Sequence, residues 1–265
     1  MKLITFFQIA CILFCFTGFT ACNDDDGFPP LTLLYIEGEH SPIQENSLTI
    51  NTFDEDGISF RIVGGDNGRY VIHNSDPNII DCNYNGDILT LIPRSNGNAT
   101  VKITDYSGNS YTLQVEVTYP TQVYPIQEIQ AEVEGGGLTG NEIQEIKTDI
   151  ISRIPVKEGG KYIFTFGNKE QTYGSVKIYP SEYSNPLEGN FRYVQAEGYE
   201  YTIIKIELWD GTSYSYTLKP YSSTSQTEEG LMTLQEDVTN IYKGKYPALE
   251  KAYSYQIFPN VIAAP

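Results

Sequence analysis

Ile80-Asp81-Cys82-Asn83-Tyr84-Asn85-Gly86-Asp87-Ile88-Leu89-Thr90-Leu91 is the stretch whose reading decides the fold of the first part of this chain. Asn-Gly readily takes the two positive-φ positions of a tight hairpin turn, and alternating residues flank it. A two-residue turn at 85–86 pairs Tyr84 with Asp87, Cys82 with Leu89 and Ile80 with Leu91. Ile80, Cys82, Leu89 and Leu91 then share one face, which has to be the buried one. Cys82 is accordingly read as a small core hydrophobe, since no Lys, Arg or His lies near it in sequence to activate the thiol.

Working outward, the same grammar continues in both directions. Leu31–Ile36, Ser47–Ile50, Ile58–Val63 and Tyr70–Ile72 lie before the hairpin. Val101 and Ile103 alternate after it, and Tyr111, Leu113, Val115 and Val117 alternate beyond the Ser107-Gly108-Asn109 turn. Short strands at this spacing, without helical periodicity, predict a β-sandwich over residues 31–119. Asp54-Glu55-Asp56-Gly57 lacks the further ligands of a calcium loop and reads as a turn.

Val63-Gly64-Gly65 through Gly68, Tyr70 and Ile72, then Ser75 and Pro77, the Asn85-Gly86 hairpin, and the run from Gly97 through Ala99, Val101, Ile103 and Asp105 to Gly108-Asn109 resemble a bacterial immunoglobulin-like (BIG) domain. The resemblance implies a spacer, stalk or adhesion module. It implies no catalytic residues.

Beyond a linker read at residues 120–125 the chain changes character. Fifteen of the 21 tyrosines lie from Tyr124 onward. Leu138–Pro155 carries a Thr139/Glu142 capping box and a stripe of Ile143, Ile146, Ile150 and Ile154, which predicts a helix stopped by Pro155. Strands are read at 162–166, 175–179, 191–196, 199–208, 213–218 and 253–258. A polar loop is read at 222–226, and a second helix with Leu234, Val238, Ile241 and Tyr242 on one face. Residues 126–265 are thus expected to be α+β, with two helices on an antiparallel sheet. The whole chain is mainly β.

At the other end, Met1-Lys2 and the apolar run Leu3–Phe16 have the size of a secretory leader and are short for a membrane span. Phe19-Thr20-Ala21-Cys22 resembles a bacterial lipoprotein lipobox, and Asp24-Asp25-Asp26 resembles the surface-export signal of Bacteroidetes-type lipoproteins. The resemblance implies a signal peptide over 1–21, lipid on Cys22, an acidic tether over 22–30, and an outer-membrane protein facing outward with the lipid as its membrane contact. Loss of Lys2 with the leader would take the net charge from −17 to about −18. That acidity argues against nucleic acid as a partner, because phosphate binding needs clustered Lys and Arg.

No nucleophile elbow, phosphate loop, paired-histidine metal motif or cofactor-binding motif is present, and there are two histidines. An acid pair for polymer hydrolysis can be neither located nor excluded among 34 acids. The expectation is a non-catalytic surface module that binds a glycan or a surface protein. The alternatives are a structural or adhesive component without a small ligand and, third, an enzyme acting on extracellular polysaccharide.

The candidate binding residues surround the single tryptophan. Asp210-Gly211 suggests a two-residue hairpin turn, which pairs Glu207 with Tyr214 and Lys205 with Tyr216. Lys205, Glu207, Trp209, Tyr214 and Tyr216 then form one aromatic and charged face, and Tyr199 and Tyr201 share its parity. In the competing arrangement Trp209 and both tyrosines pack beneath a loop. A three-residue turn would place Tyr214 and Tyr216 opposite the isoleucines instead.

Overall fold

The computed structural model describes residues 28–37, 41–66, 69–195, 201–223 and 226–260. The chain divides into two compact units, the second of which takes in everything from Val117 onward.

The strands up to Thr118, most of whose residues belong to the first unit, form a sandwich of two four-stranded sheets. One contains β1 (Thr32–Tyr35), β3 (Ile58–Val63), β6 (Ile88–Pro93) and β5 (Ile80–Asn85) in that order; the other contains β2 (Ser47–Asn51), β8 (Ser110–Thr118), β7 (Gly97–Thr104) and β4 (Val71–Asn74). Alternation decides which side chains face inward. Tyr111, Leu113, Val115 and Val117 of β8 are buried while their neighbours face out, as period-two geometry requires. Leu33, Phe60, Ile80, Leu89, Leu91, Val101 and Ile103 complete the core, each fully buried.

The β5–β6 hairpin turns one residue later than the Asn-Gly reading placed it. Asn85 pairs with Ile88 and Cys82 with Leu91, leaving Gly86-Asp87 as the loop. Gly86 has φ +68° at the first loop position, where a tight hairpin of the mirror-image type II class takes glycine. Each partner moves by two residues, so the side chains keep their faces. Cys82 is half-buried, and burial pushes its thiol up to about 11.

The acidic end of the Gly97–Asn109 run has a physical role. Asp105 is buried, and its carboxylate accepts from the Asn109 amide (2.8 Å), the Asn109 side chain (2.8 Å) and the Asp66 amide (3.1 Å). It ties the β7–β8 turn to the segment that follows β3. A buried carboxylate is tolerated when donors surround it in this way.

The second unit is one nine-stranded antiparallel sheet with two helices. Its strands are β9 (Thr121–Pro125), β10 (Glu128–Glu134), β11 (Lys161–Phe166), β12 (Tyr173–Tyr179), β13 (Leu187–Gln195), β14 (Thr202–Leu208), β15 (Ser213–Ser223), β16 (Gln226–Asp237) and β17 (Lys251–Pro259). The spatial order is β10-β17-β16-β15-β14-β13-β12-β11-β9. The two outermost strands are therefore consecutive in sequence. Ile126 donates to Gly160 on the β11 side (2.9 Å), and the next residue, Gln127, donates to Ile257 of β17 (2.9 Å). The sheet curls round until one chain segment serves both of its margins. Residues 121–125, read above as a linker, are thus a paired strand. Pro125 is compatible with that place because it ends the strand, where no ladder donor is needed.

The curled sheet encloses an aromatic interior. Tyr124, Tyr162, Phe164, Phe166, Phe191, Tyr216 and Phe258 are buried there together with Val176, Ile178, Ile204 and Ile206. Tyr124 of β9 stacks on Phe258 of β17 at 4.5 Å. A barrel wall of about eight strands leaves a space that side chains can fill.

Helix α1 (Gly140–Arg153) begins at Thr139 with the predicted capping box: the Glu142 amide donates to Thr139 Oγ1 (3.3 Å) and the Thr139 amide to Glu142 Oε2 (2.7 Å). Ile146 and Ile150 of α1 pack with Tyr242, Val133 and Ala252. The second helix, α2, is only Thr239–Lys243. Leu234, read above as helical, lies in β16 and is fully buried in the barrel. The apolar spacing that suggested helix there is met by a strand that runs on to Asp237, with Leu234 in the barrel core and Val238, just past the strand end, packed with the helices.

Candidate functional site

Strands β12 to β15 position the candidate surface. Pairing sets Tyr173 opposite Arg192, Arg192 opposite Lys205, and Lys205 opposite Ser215. A second row runs from Ser175 through Asn190 and Glu207 to Ser213. Because Phe191 and Ile206, the alternate residues, are buried inside, these rows form the outer face. All of their residues but Ser175 line a shallow depression of about 840 Å³, which Tyr214 and Glu236 also border. Lys177 and Glu188 form an ion pair (3.4 Å) on the same strands. In a chain of net charge −17, the face gathers Lys177, Arg192 and Lys205 beside Glu188 and Glu207.

Trp209 stands at the end of this face, 71% exposed, in a three-residue loop. Leu208 pairs with Thr212: its amide donates to the Thr212 carbonyl (2.8 Å), and the Gly211 amide donates to the Leu208 carbonyl (3.0 Å). Gly211 takes φ +88°, the left-handed position of such a loop. Asp210 fixes it, accepting from the Thr212 amide (2.8 Å). That amide holds the Asp210 carboxyl below the usual carboxylate range. The Trp209 amide donates to the Glu188 carbonyl (3.0 Å), anchoring the loop to β13.

The third loop residue changes the register by one, so the predicted face is half right. Lys205, Glu207 and Trp209 are outside. Tyr214 lies opposite Ile206 and Tyr216 opposite Ile204, so both rings point inward. Tyr216 is fully buried, and Tyr214, half-buried, stacks on it at 5.8 Å. The Tyr216 hydroxyl lies 3.4 Å from that of Tyr162, which donates to Gln256 Oε1 (2.7 Å). Burial raises the Tyr162 and Tyr216 phenols well above their ordinary value. Tyr201 is half-buried immediately before β14. Tyr199 lies outside the described residues, as do Cys22, Asp24, Asp25 and Asp26.

Tyr173, Asn190 and Arg192 join the surface without having been foreseen. Alternation with Phe191 would have put Asn190 and Arg192 outside, but only the strand pairing brings them beside Lys205. Among the described residues, no group of three or more His, Cys, Asp or Glu side chains is placed to hold a metal ion, and no helix is long and apolar enough to cross a membrane.

No family model and no curated protein matches this chain. Among solved structures it is similar to a chain in the crystal structure of an intimin–Tir90 complex, with 12% identity and a TM-score of 0.23 over 60% of this chain and 91% of that one.

Proposed function

We propose that this chain is a non-catalytic adhesive component of the cell surface, held by lipid on Cys22, that contacts a protein partner through the outer face of β12–β15. The observation that carries the reading is the row Tyr173, Arg192 and Lys205, with Glu207 of the adjoining row, leading to the exposed Trp209. Exposed Trp, Tyr and Arg are the side chains that dominate protein interfaces, and a rigid sheet orders them at little entropic cost. A glycan is the second reading, supported by the exposed Trp209 and Tyr173 rings, on which sugars can stack.

Beads coated with the chain, held under flow on a cell layer, test this. Retention should fall at least tenfold in the triple variant Arg192→Glu, Lys205→Glu, Trp209→Ala, and after protease treatment of the cells. Retention unchanged by the variant would overturn the assignment of the face. Retention abolished by glycosidase but not by protease would replace the protein partner with a glycan. For the anchor, Cys22→Ala should abolish incorporation of labelled fatty acid, and Asp24, Asp25 and Asp26 changed together to Ala should leave it intact while hiding the chain from external protease.

A further inference from the structure

The inner face of the barrel changes character toward the end where the helices lie. Deep inside, the lining is aromatic and aliphatic. Near α1 and α2, the inward positions of β15, β16 and β17 are instead Tyr214, Glu236 and Ser254, and they line a cavity of about 160 Å³. Ile150, Ile154 and Val238 supply its buried apolar wall, and Arg153 and Ile241, both largely exposed, form the side toward solvent.

Two features of this lining call for an occupant. Ser254 is 2% exposed and its Oγ has no hydrogen-bond partner. Such a group costs about 1–3 kcal/mol when left unpaired. Glu236 faces the same space. Burial raises its carboxyl above the ordinary value, and no salt bridge or hydrogen bond is formed by it among the described residues.

The chemistry of the lining narrows what would fit. An anion would meet the Glu236 carboxylate. A cation would meet the Arg153 guanidinium, which Asp149 holds in place (2.7 Å). An apolar molecule would leave Ser254 and Glu236 as they are. A molecule carrying several neutral hydroxyls satisfies all of them: one hydroxyl donates to Glu236, others exchange hydrogen bonds with Ser254 and Tyr214, and the Tyr214 ring covers a C–H face. The volume corresponds to about five waters, which suits one small molecule and not a polymer.

We infer that the helix-capped end of the barrel is a second binding site, bordering the outer depression at Tyr214 and Glu236, that takes a single small polyhydroxylated molecule such as one sugar unit or a short polyol.

Saturation-transfer NMR on the whole chain, with glucose, galactose, mannose, N-acetylglucosamine and glycerol as probes, tests this. At least one should show saturable transfer, strongest at its C–H protons. Glu236→Gln and Ser254→Ala keep the shape of the site, and each should weaken that binding, the first at least tenfold, with circular dichroism and melting used to show that the variants fold. No saturable transfer from any probe to the folded protein would overturn the inference and leave a cavity that holds water alone. Binding that neither variant weakens would place the sugar elsewhere and overturn it too. Glu236-dependent binding of methylammonium with none of the sugars would overturn the class of ligand.

Discussion

Two hairpins in this chain, β5–β6 and β14–β15, carry nearly the same turn dipeptide and close in different ways. The first closes over two residues, Gly86-Asp87, with the positive-φ glycine at the front. The second closes over three, Trp209-Asp210-Gly211, with the positive-φ glycine at the back. Relative to a turn centred on the dipeptide itself, the first moves every cross-strand partner by two and the second by one. In a structure with period-two side chains, a shift of two preserves both faces and a shift of one exchanges them on one strand. A turn dipeptide therefore locates a hairpin more securely than it assigns the faces.

The largest expected effect tests the exchanged face directly. Tyr216→Ala should destabilise the second unit by about 3–5 kcal/mol, as truncation of a large buried ring does. Leu91→Ala, its counterpart inside the first hairpin, should cost about 2–5 kcal/mol in the first unit. Had Tyr216 faced outward, truncation would stay within about 0.5 kcal/mol, so a small value from denaturant melts would overturn the register.

Next come the two turn glycines. A Cβ at Gly86 or Gly211 would meet no atom within 4 Å. Alanine at Gly211 therefore costs only the left-handed backbone, about 1–2 kcal/mol. At Gly86, the first position of a mirror-image type II turn, glycine is demanded more strongly, so alanine there should cost more; equal values would show that the two glycines share one backbone conformation.

Glu236 gives a smaller, pH-dependent effect. Its folded-state carboxyl is raised by burial, so between the ordinary carboxylate value and the raised one the native state binds more protons than the unfolded state. Stability then falls as pH rises through that window. Glu236→Gln should be more stable than the parent at pH 7, and the gap should close below the unfolded-state value. A gap independent of pH would place Glu236 outside the barrel. Arg153, Tyr214, Tyr216 and Tyr162 are the neighbouring groups to hold constant.

The smallest effect on stability belongs to Trp209. Its change to Ala should stay within about 0.5 kcal/mol, and as the single tryptophan it should emit at long wavelength and be readily quenched by acrylamide. Blue-shifted, protected emission would contradict its exposed position.

Much of the architecture was legible because it rests on alternation and capping. The β8 pattern, the core half of the first hairpin and the Thr139–Glu142 box follow from local spacing alone. What escaped the sequence depends on partners distant along the chain. Leu234 has apolar neighbours at helical spacing, and only β15 and β17 on either side make it a strand residue. Thr121–Pro125 is too short and proline-flanked to stand out until β11 pairs with it. The candidate face was half legible: Lys205, Glu207 and Trp209 lie outside as read, Tyr214 and Tyr216 lie inside because of one loop residue, and alternation puts Arg192 outside but only strand pairing sets it beside Lys205.

The segment that serves both margins of the curled sheet also dictates an order of assembly. Residues 121–134 pair with 161–165 on one side and with 251–257 on the other. The ring of strands cannot complete itself until β17, the last strand described, has emerged. Before that moment β10 and β16 each lack the neighbour they will share, and the long loop between them must close late and slowly. Until then the sheet is an open ribbon, and its interior becomes dry only in the final step of folding.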